Sequence, residues 1–147
     1  MPDIVPKAAP VRGSPRNEHI LYVDDEEGLV LLATRLLKRL GYRVTGFTSP
    51  NLALDEFRRR PQEFDAVVTD LSMPHLSGFD LAEQILTIRP DIPVIVSSGY
   101  VRPEDQERGK TIGIHQMIQK PYTLEQLQET FDQYFARAAA FVERPPH

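Results

Sequence analysis

The chain has 147 residues, of which 41% are hydrophobic and 26% are charged, and its formal net charge at neutral pH is -4. This length and composition fit one soluble globular domain, and the absence of cysteine excludes disulfides, thiolate metal sites and cysteine nucleophiles. The acidic balance argues against nucleic acid as a partner, and no apolar run approaches the roughly 20 residues of a membrane span. We therefore expect a cytoplasmic protein that binds neither nucleic acid nor membrane.

The two ends of the chain lack the apolar periodicity of its central part. Residues 1–18 contain four prolines and predict a flexible tail or linker, and residues 141–147 predict a short C-terminal tail. We therefore predict one folded domain over residues 19–140.

Five short apolar runs in the central part predict β-strands. In chain order, they are Ile20–Val23, Val44–Phe47, Ala66–Thr69, Val94–Ser97 and Met117–Ile118. Apolar residues at spacings of three and four predict helices after the first, third and fifth strands, and Asn51–Arg60 predicts a short helix that Pro61 ends. Pro103–Lys110 has almost no apolar residues, so a helix there would be poorly anchored to the core. Strands that alternate with helices in this way indicate a parallel sheet covered on both faces.

Polar side chains with a common chemistry follow four of the predicted strands. They are three carboxylates, a hydroxyl and an amine: Asp24, Asp25, Asp70, Ser98 and Lys120. Ligands of open parallel sheets bind beyond the carboxyl ends of the strands, so we expect these side chains to converge. Three neighbouring carboxylates raise each other's pKa, and a hard divalent cation such as Mg²⁺ would relieve this conflict. A phosphoryl group could then approach one of the carboxylates and form an acyl phosphate.

Five sequence strings resemble those of response regulator receiver domains. They are ILYVDDE from Ile20, VVTDLSMP from Val67, SG from Ser77, PVIVSSG from Pro93 and KP from Lys120. They occur in the order and at the separations usual for the family, and the resemblance covers the whole chain except its two tails. It implies an α/β, flavodoxin-like (βα)5 fold, in which a five-stranded parallel sheet of order 2-1-3-4-5 carries helices on both faces.

The resemblance also implies a phosphorylation site and a metal site. Asp70 matches the phosphoacceptor of the family. Asp24 and Asp25 match the acidic pair that binds Mg²⁺ or Mn²⁺, with Asp25 as the direct ligand. Asp70 and the backbone carbonyl of Ser72 match the other protein oxygens on the metal.

Ser98 and Lys120 match the two other residues on which receivers depend. Ser98 corresponds to the hydroxyl residue of the conformational switch, and Lys120 to the lysine beside the phosphoryl group, with Lys120-Pro121 as a candidate cis peptide bond. Many receivers carry a mobile aromatic residue in the fifth strand, where this chain has Met117. Tyr100 is the nearest aromatic residue to Ser98 along the chain, and we expect movement of the loop around Ser98 to carry the signal instead.

The function implied is that of a phosphoacceptor domain in a two-component phosphorelay. Such a domain catalyses its own phosphotransfer and dephosphorylation, and it accepts the phosphoryl group from a sensor histidine kinase or a histidine phosphotransfer protein. We expect the signal to be read on the surface of the fourth and fifth helices, and a homodimer through this face is an open alternative. The proline-containing leader favours a receiver cut from a hybrid histidine kinase over a stand-alone regulator.

Two other functions compete with this interpretation. A receiver fold could serve only as a docking module, although such a module has no need of the acidic set and Lys120. An Asp-nucleophile phosphatase typically presents a second acid two residues after its nucleophile, and here that position is Ser72. The phosphatase is therefore disfavoured.

Overall fold

The computed structural model describes residues 17–143, so most of the predicted N-terminal tail and residues 144–147 lie outside the described range. Within the described range the strands are β1 (His19–Val23), β2 (Arg43–Phe47), β3 (Ala66–Asp70), β4 (Val94–Ser98) and β5 (Gln116–Gln119). The α-helices of residues 17–143 are α1 (Glu27–Arg39), α2 (Pro50–Arg59), α3 (Gly78–Ile88), α4 (Pro103–Ile112) and α5 (Leu124–Glu143). A short 3-10 helix, Pro61–Glu63, follows α2.

All five strands pair in parallel, in the order β2-β1-β3-β4-β5. This is the predicted strand order, and the fold class is therefore confirmed. The strand order changes direction at the central pair β1 and β3, because β2 lies on one side of this pair and β4 and β5 lie on the other. The carboxyl ends of β1 and β3 consequently lie side by side at the point where open α/β sheets bind ligands.

Successive residues of the buried strands point to opposite faces of the sheet, and each face has its own core. In β1, Leu21 and Val23 join a cluster with the apolar sides of α2 and α3, which includes Phe57 and Ile85. Ile20 and Tyr22 face the other way, and join a cluster with Leu37 of α1 and with Leu127 and Phe131 of α5. The sheet is therefore covered by helices on both faces, as the sequence predicted.

Local signals in the sequence explain several helix boundaries. Ser49 caps α2, where its side chain accepts a hydrogen bond from the amide of Leu52 at 3.2 Å. After α1, Gly41 adopts a φ of 100°, a left-handed conformation that ends helices readily when the residue is glycine. The last helix continues to Glu143, beyond the predicted domain end at residue 140, because the alanine-rich segment after Phe135 has a high helix propensity.

The fourth helix is weakly attached to the rest of the domain, in agreement with its polar sequence. Within α4 only Asp105 and Gly109 are buried, and Ile112 is partly buried against the cluster beside α3. A helix with few buried apolar contacts can move at a low cost in free energy. None of the helices in the described range is long and apolar enough to cross a membrane.

Candidate functional site

The site lies where β1, β3 and β4 end, and the backbone there places its side chains. Asp24 follows β1 directly, and its amide donates a hydrogen bond to the carbonyl of Phe47 at 3.1 Å. Asp70 and Ser98 are the last residues of their strands rather than the first residues of loops. The hydrogen bonds between β3 and β4 continue to the ends of both strands, where the amide of Leu71 donates to the carbonyl of Ser97 at 2.7 Å.

Lys120 joins two of the carboxylates. Its Nζ lies 2.7 Å from Oδ2 of Asp24 and 3.1 Å from Oδ1 of Asp70. The other oxygen of Asp24 accepts a hydrogen bond from the amide of Glu26 at 3.0 Å, which fixes the orientation of this carboxylate. The side chain of Asp24 is 2% exposed and that of Asp70 is 9% exposed, so water screens these ion pairs only weakly.

Asp25 completes an acidic cluster with Asp24 and Asp70. One carboxylate oxygen from each of the three residues lies within 4.8 Å of the others, and Asp25 is exposed to solvent. Three carboxylates and a single ammonium group leave two negative charges when all four groups are ionised. A set of carboxylate oxygens with this excess charge fits a hard divalent cation such as Mg²⁺.

The pKa shifts reflect the same balance of charge and burial. Burial raises the pKa of the Asp70 carboxyl above its usual value, and Asp24 and Asp25 raise it further, although Lys120 acts in the opposite direction. Burial by itself would lower the pKa of Lys120, but its hydrogen bonds to Asp24 and Asp70 raise that pKa above its usual value. Lys120 therefore stays charged, and the ionised form of Asp70 is held at a cost that a bound cation would reduce.

The hydroxyl of Ser98 is engaged within its own loop. It donates to the carbonyl of Tyr100 at 3.1 Å and accepts from the amide of Tyr100 at 3.3 Å. The next amide, that of Val101, donates to the side chain of Gln119 at 3.5 Å, which links this loop to β5. In this conformation the hydroxyl ties Tyr100 to the end of β4, while the tyrosine ring is exposed.

The loop after Asp70 returns to the strand end through a close backbone contact. The amide of Gly78 donates to the carbonyl of Leu71 at 2.8 Å, and a side chain at residue 78 would collide with the carbonyl of Asp70. Glycine is therefore required here by packing. Ser77 caps α3, where its side chain accepts from the amide of Asp80 at 3.1 Å, and Ser72 is exposed in the same loop.

Comparison with known families decides what kind of domain this is. The family model described as "Response regulator receiver domain" matches residues 20–132. The chain belongs to the response regulator receiver domain family. This match covers the five strands except His19, the first residue of β1, and it includes the strand-end residues, so the site lies inside the matched unit of the receiver.

Individual relatives of this receiver support the assignment. Two-component response regulator ARR12 of Arabidopsis thaliana is 32% identical over 113 residues, which are 77% of this chain and 19% of that protein. The chain spans less than a third of the length of the plant response regulators that it matches.

Solved structures show the same fold. A response regulator receiver domain protein from Clostridium thermocellum is 27% identical, with a TM-score of 0.78, over 84% of this chain and 98% of that one. TrrA from Thermotoga maritima, solved in complex with Mg²⁺ and beryllium fluoride, is 24% identical. Its TM-score is 0.70, and the likeness covers 79% of this chain and 97% of that one.

The structure brings four of the six predicted site residues into contact or near contact in this receiver: Asp24, Asp25, Asp70 and Lys120. Ser98 ends the strand beside Asp70, although its hydroxyl is bonded to its own loop. Ser72 lies two residues after Asp70, and the roles assigned to these six residues stay predictions. The peptide bond between Lys120 and Pro121 is cis, as predicted.

Two tyrosines near the site do not figure among the residues that the sequence predicted. The hydroxyls of Tyr22 and Tyr122 are hydrogen-bonded to each other, and burial raises the pKa of both groups, so the pair stays protonated. A signal was present in the sequence, because Tyr22 interrupts an otherwise apolar strand two residues before Asp24. Tyr122 likewise lies two residues after Lys120.

Proposed function

We propose that this receiver accepts a phosphoryl group on Asp70 from a phosphohistidine in a two-component phosphorelay, in a reaction that depends on Mg²⁺ or Mn²⁺. The observation that carries the proposal is the contact of Lys120 with Asp70 and Asp24, inside a cluster of three carboxylates. An isolated buried ion pair is a weak source of stability, so this arrangement is better explained by chemistry than by folding.

The donor set indicates which residues would hold the cation. Asp25 is exposed and Asp70 has an oxygen beyond the one nearest Lys120, whereas both oxygens of Asp24 already accept hydrogen bonds. Direct ligation by Asp25 and Asp70, with the carbonyl of Ser72, is therefore the arrangement that we propose. The bound cation supplies charge neutralisation between the carboxylates and the phosphoryl oxygens. The complex of TrrA with Mg²⁺ and beryllium fluoride supports this choice of cation.

The residues of the chain itself perform the transfer. A carboxylate oxygen of Asp70 attacks the phosphorus of the phosphohistidine, a P–O bond forms, and the P–N bond breaks with its electron pair remaining on the histidine ring. Lys120 lies beside Asp70, where its ammonium group can donate a hydrogen bond to a phosphoryl oxygen and stabilise the charge that develops there. The partial burial of Asp70 keeps bulk water away from the acyl phosphate.

The wider context of the domain is also part of the proposal. The donor is a sensor histidine kinase or a histidine phosphotransfer protein in the cytoplasm, and the receiver belongs to a hybrid histidine kinase. A docking module without phosphorylation is the alternative, and it would leave the acidic cluster and Lys120 without a role. The phosphatase alternative stays disfavoured because Ser72 cannot act as a general acid.

Intact mass spectrometry of the purified chain tests the proposal. We expect incubation with acetyl phosphate and Mg²⁺ to add one phosphoryl group, and prior addition of a chelator to prevent it. Peptide mapping should place the label on the segment that contains Asp70. If neither acetyl phosphate nor any of several phosphohistidine proteins labels the chain, the docking module becomes the better interpretation.

Loop movement around Ser98 is the conformational response that we expect. To donate its proton to a phosphoryl oxygen on Asp70, the Ser98 hydroxyl must give up its hydrogen bond to the carbonyl of Tyr100, and the loop then loses one of its links to the end of β4. Hydrogen exchange of residues 98–106 should change when beryllium fluoride and Mg²⁺ are added, while α2 serves as an internal control. Unchanged exchange in residues 98–106 of a chain that binds beryllium fluoride would contradict this mechanism.

A further inference from the structure

A pair of tyrosines connects the two chain segments that carry Asp24 and Lys120. Tyr22 belongs to β1 and precedes Asp24 by two residues, and Tyr122 follows Lys120 by two residues. Their hydroxyls share a hydrogen bond on the α1 and α5 side of the sheet. The pair therefore links β1 directly to the loop between β5 and α5.

The strand order makes this link mechanically important. Because β3 and β4 lie between β1 and β5, these two strands are about 14 Å apart at the usual spacing, and no ladder hydrogen bond joins them. Lys120 nevertheless has to extend its ammonium group to 2.7 Å from Asp24 and 3.1 Å from Asp70. Where the ammonium group lies depends on how the loop that carries Lys120 is held over the end of the sheet.

The surroundings of the tyrosines allow one hydrogen bond to hold this loop. Tyr22 is 3% exposed and belongs to the same cluster as Leu127 and Phe131 of α5, and Tyr122 packs against that cluster. A hydrogen bond is stronger in such surroundings than in water, and close packing leaves each ring few alternative rotamers. Two rigid rings joined at their hydroxyls thus restrict the movement of the loop relative to β1.

We propose that the Tyr22–Tyr122 pair positions Lys120 for phosphoryl transfer to Asp70. The inference rests on the proposed function and adds two positioning residues to it. Neither tyrosine touches the reacting atoms, and each acts by keeping the ammonium group of Lys120 over the carboxylates. Loss of either hydroxyl breaks the same hydrogen bond, so the two losses should not add.

The test compares Tyr22→Phe, Tyr122→Phe and the double variant with the wild-type chain. The rate of phosphoryl addition from acetyl phosphate is measured by intact mass at saturating Mg²⁺, together with Mg²⁺ affinity and thermal unfolding. We expect each single variant to react about fivefold more slowly, the double variant to be no slower than the singles, and Mg²⁺ affinity to be unchanged. In a Lys120→Met background, Tyr122→Phe should cause no further loss of rate, a result that a merely structural role would not produce.

Tyr42→Phe is the matched control. Tyr42 is also 3% exposed in the same cluster, and its hydroxyl accepts a hydrogen bond from Gln128 at 3.1 Å, away from the strand ends that carry the site. This variant should react at the wild-type rate. If the Tyr22 and Tyr122 variants react as fast as Tyr42→Phe, or if their losses persist in the Lys120→Met background, the positioning role is overturned. Absence of phosphoryl addition to the wild-type chain would instead overturn the proposed function, and the inference with it.

Discussion

Replacing Asp70 with asparagine should abolish phosphoryl addition while making the metal-free protein more stable. The amide of asparagine is a poor nucleophile and cannot form the acyl phosphate, so the loss should be complete. The gain in stability follows from the raised pKa of Asp70. A raised pKa means that the Asp70 carboxyl holds its proton more tightly in the folded state than in the unfolded state. Ionisation of Asp70 at neutral pH therefore lowers the free energy of unfolding, and an asparagine at this position does not ionise and avoids this cost.

The pH dependence of stability distinguishes this explanation from a general effect of the substitution. The unfavourable contribution of Asp70 is absent below the pKa of its unfolded state and grows as the pH rises through the higher pKa of its folded state. In the presence of a chelator at pH 7, the unfolding temperature of Asp70→Asn should therefore be higher than that of the wild-type chain. The difference should shrink as the pH falls toward about 4, the usual pKa of an aspartate in an unfolded chain, and it should be absent below that pH.

Asp55→Asn is a suitable control for both measurements. Asp55 lies on α2, its side chain is 66% exposed, and its pairing with Arg58 at 3.8 Å is of the surface type that contributes little to stability. This variant should keep both phosphorylation and stability. Phosphoryl addition to Asp70→Asn at the wild-type rate would mean that the acceptor is another residue, with Asp24 and Asp25 the first to examine.

The positions of the carboxylates and of Lys120 could be predicted because they depend on chain topology. Apolar runs identify the strands, and a parallel sheet brings the ends of its strands to one edge whatever the side-chain conformations are. The order of strands and helices along the chain therefore suffices to predict that Asp24, Asp70 and Lys120 lie together. The resemblance to receivers then supplied the strand order.

Contacts that depend on rotamers and on tertiary packing were not predictable in this way. The position of Ser98 at the end of β4 follows from the pattern, but the bonding of its hydroxyl to Tyr100 depends on a local turn that competes with other partners. The bond between Tyr22 and Tyr122 joins residues 100 positions apart in the sequence, and no local propensity specifies such a contact.

Replacing Lys120 with methionine should slow phosphorylation by about 100-fold and at the same time increase Mg²⁺ affinity. Methionine keeps an unbranched side chain of similar length without the ammonium group. Loss of a preorganised charge that stabilises a transition state typically costs a factor of this size. Affinity for the cation should rise because the ammonium group at 2.7 Å from Asp24 and 3.1 Å from Asp70 repels a dication bound to the same carboxylates.

The same variant should also depend on Mg²⁺ for its stability. Asp24 is 1% exposed, so removal of Lys120 leaves a buried carboxylate without its cation, which costs about 3 kcal/mol in metal-free buffer. Binding of Mg²⁺ to the cluster should offset much of this loss. The rise in unfolding temperature on adding Mg²⁺ should accordingly be larger for Lys120→Met than for the wild-type chain.

Lys110→Met provides the comparison, because Lys110 is an exposed lysine near the end of α4. It should leave the rate, the Mg²⁺ affinity and the unfolding temperature at wild-type values. Slow phosphorylation of Lys120→Met with unchanged Mg²⁺ affinity would mean that the cation binds away from the oxygens that Lys120 contacts. A wild-type phosphorylation rate in Lys120→Met would remove this lysine from the transfer step and leave it only the neutralisation of Asp24.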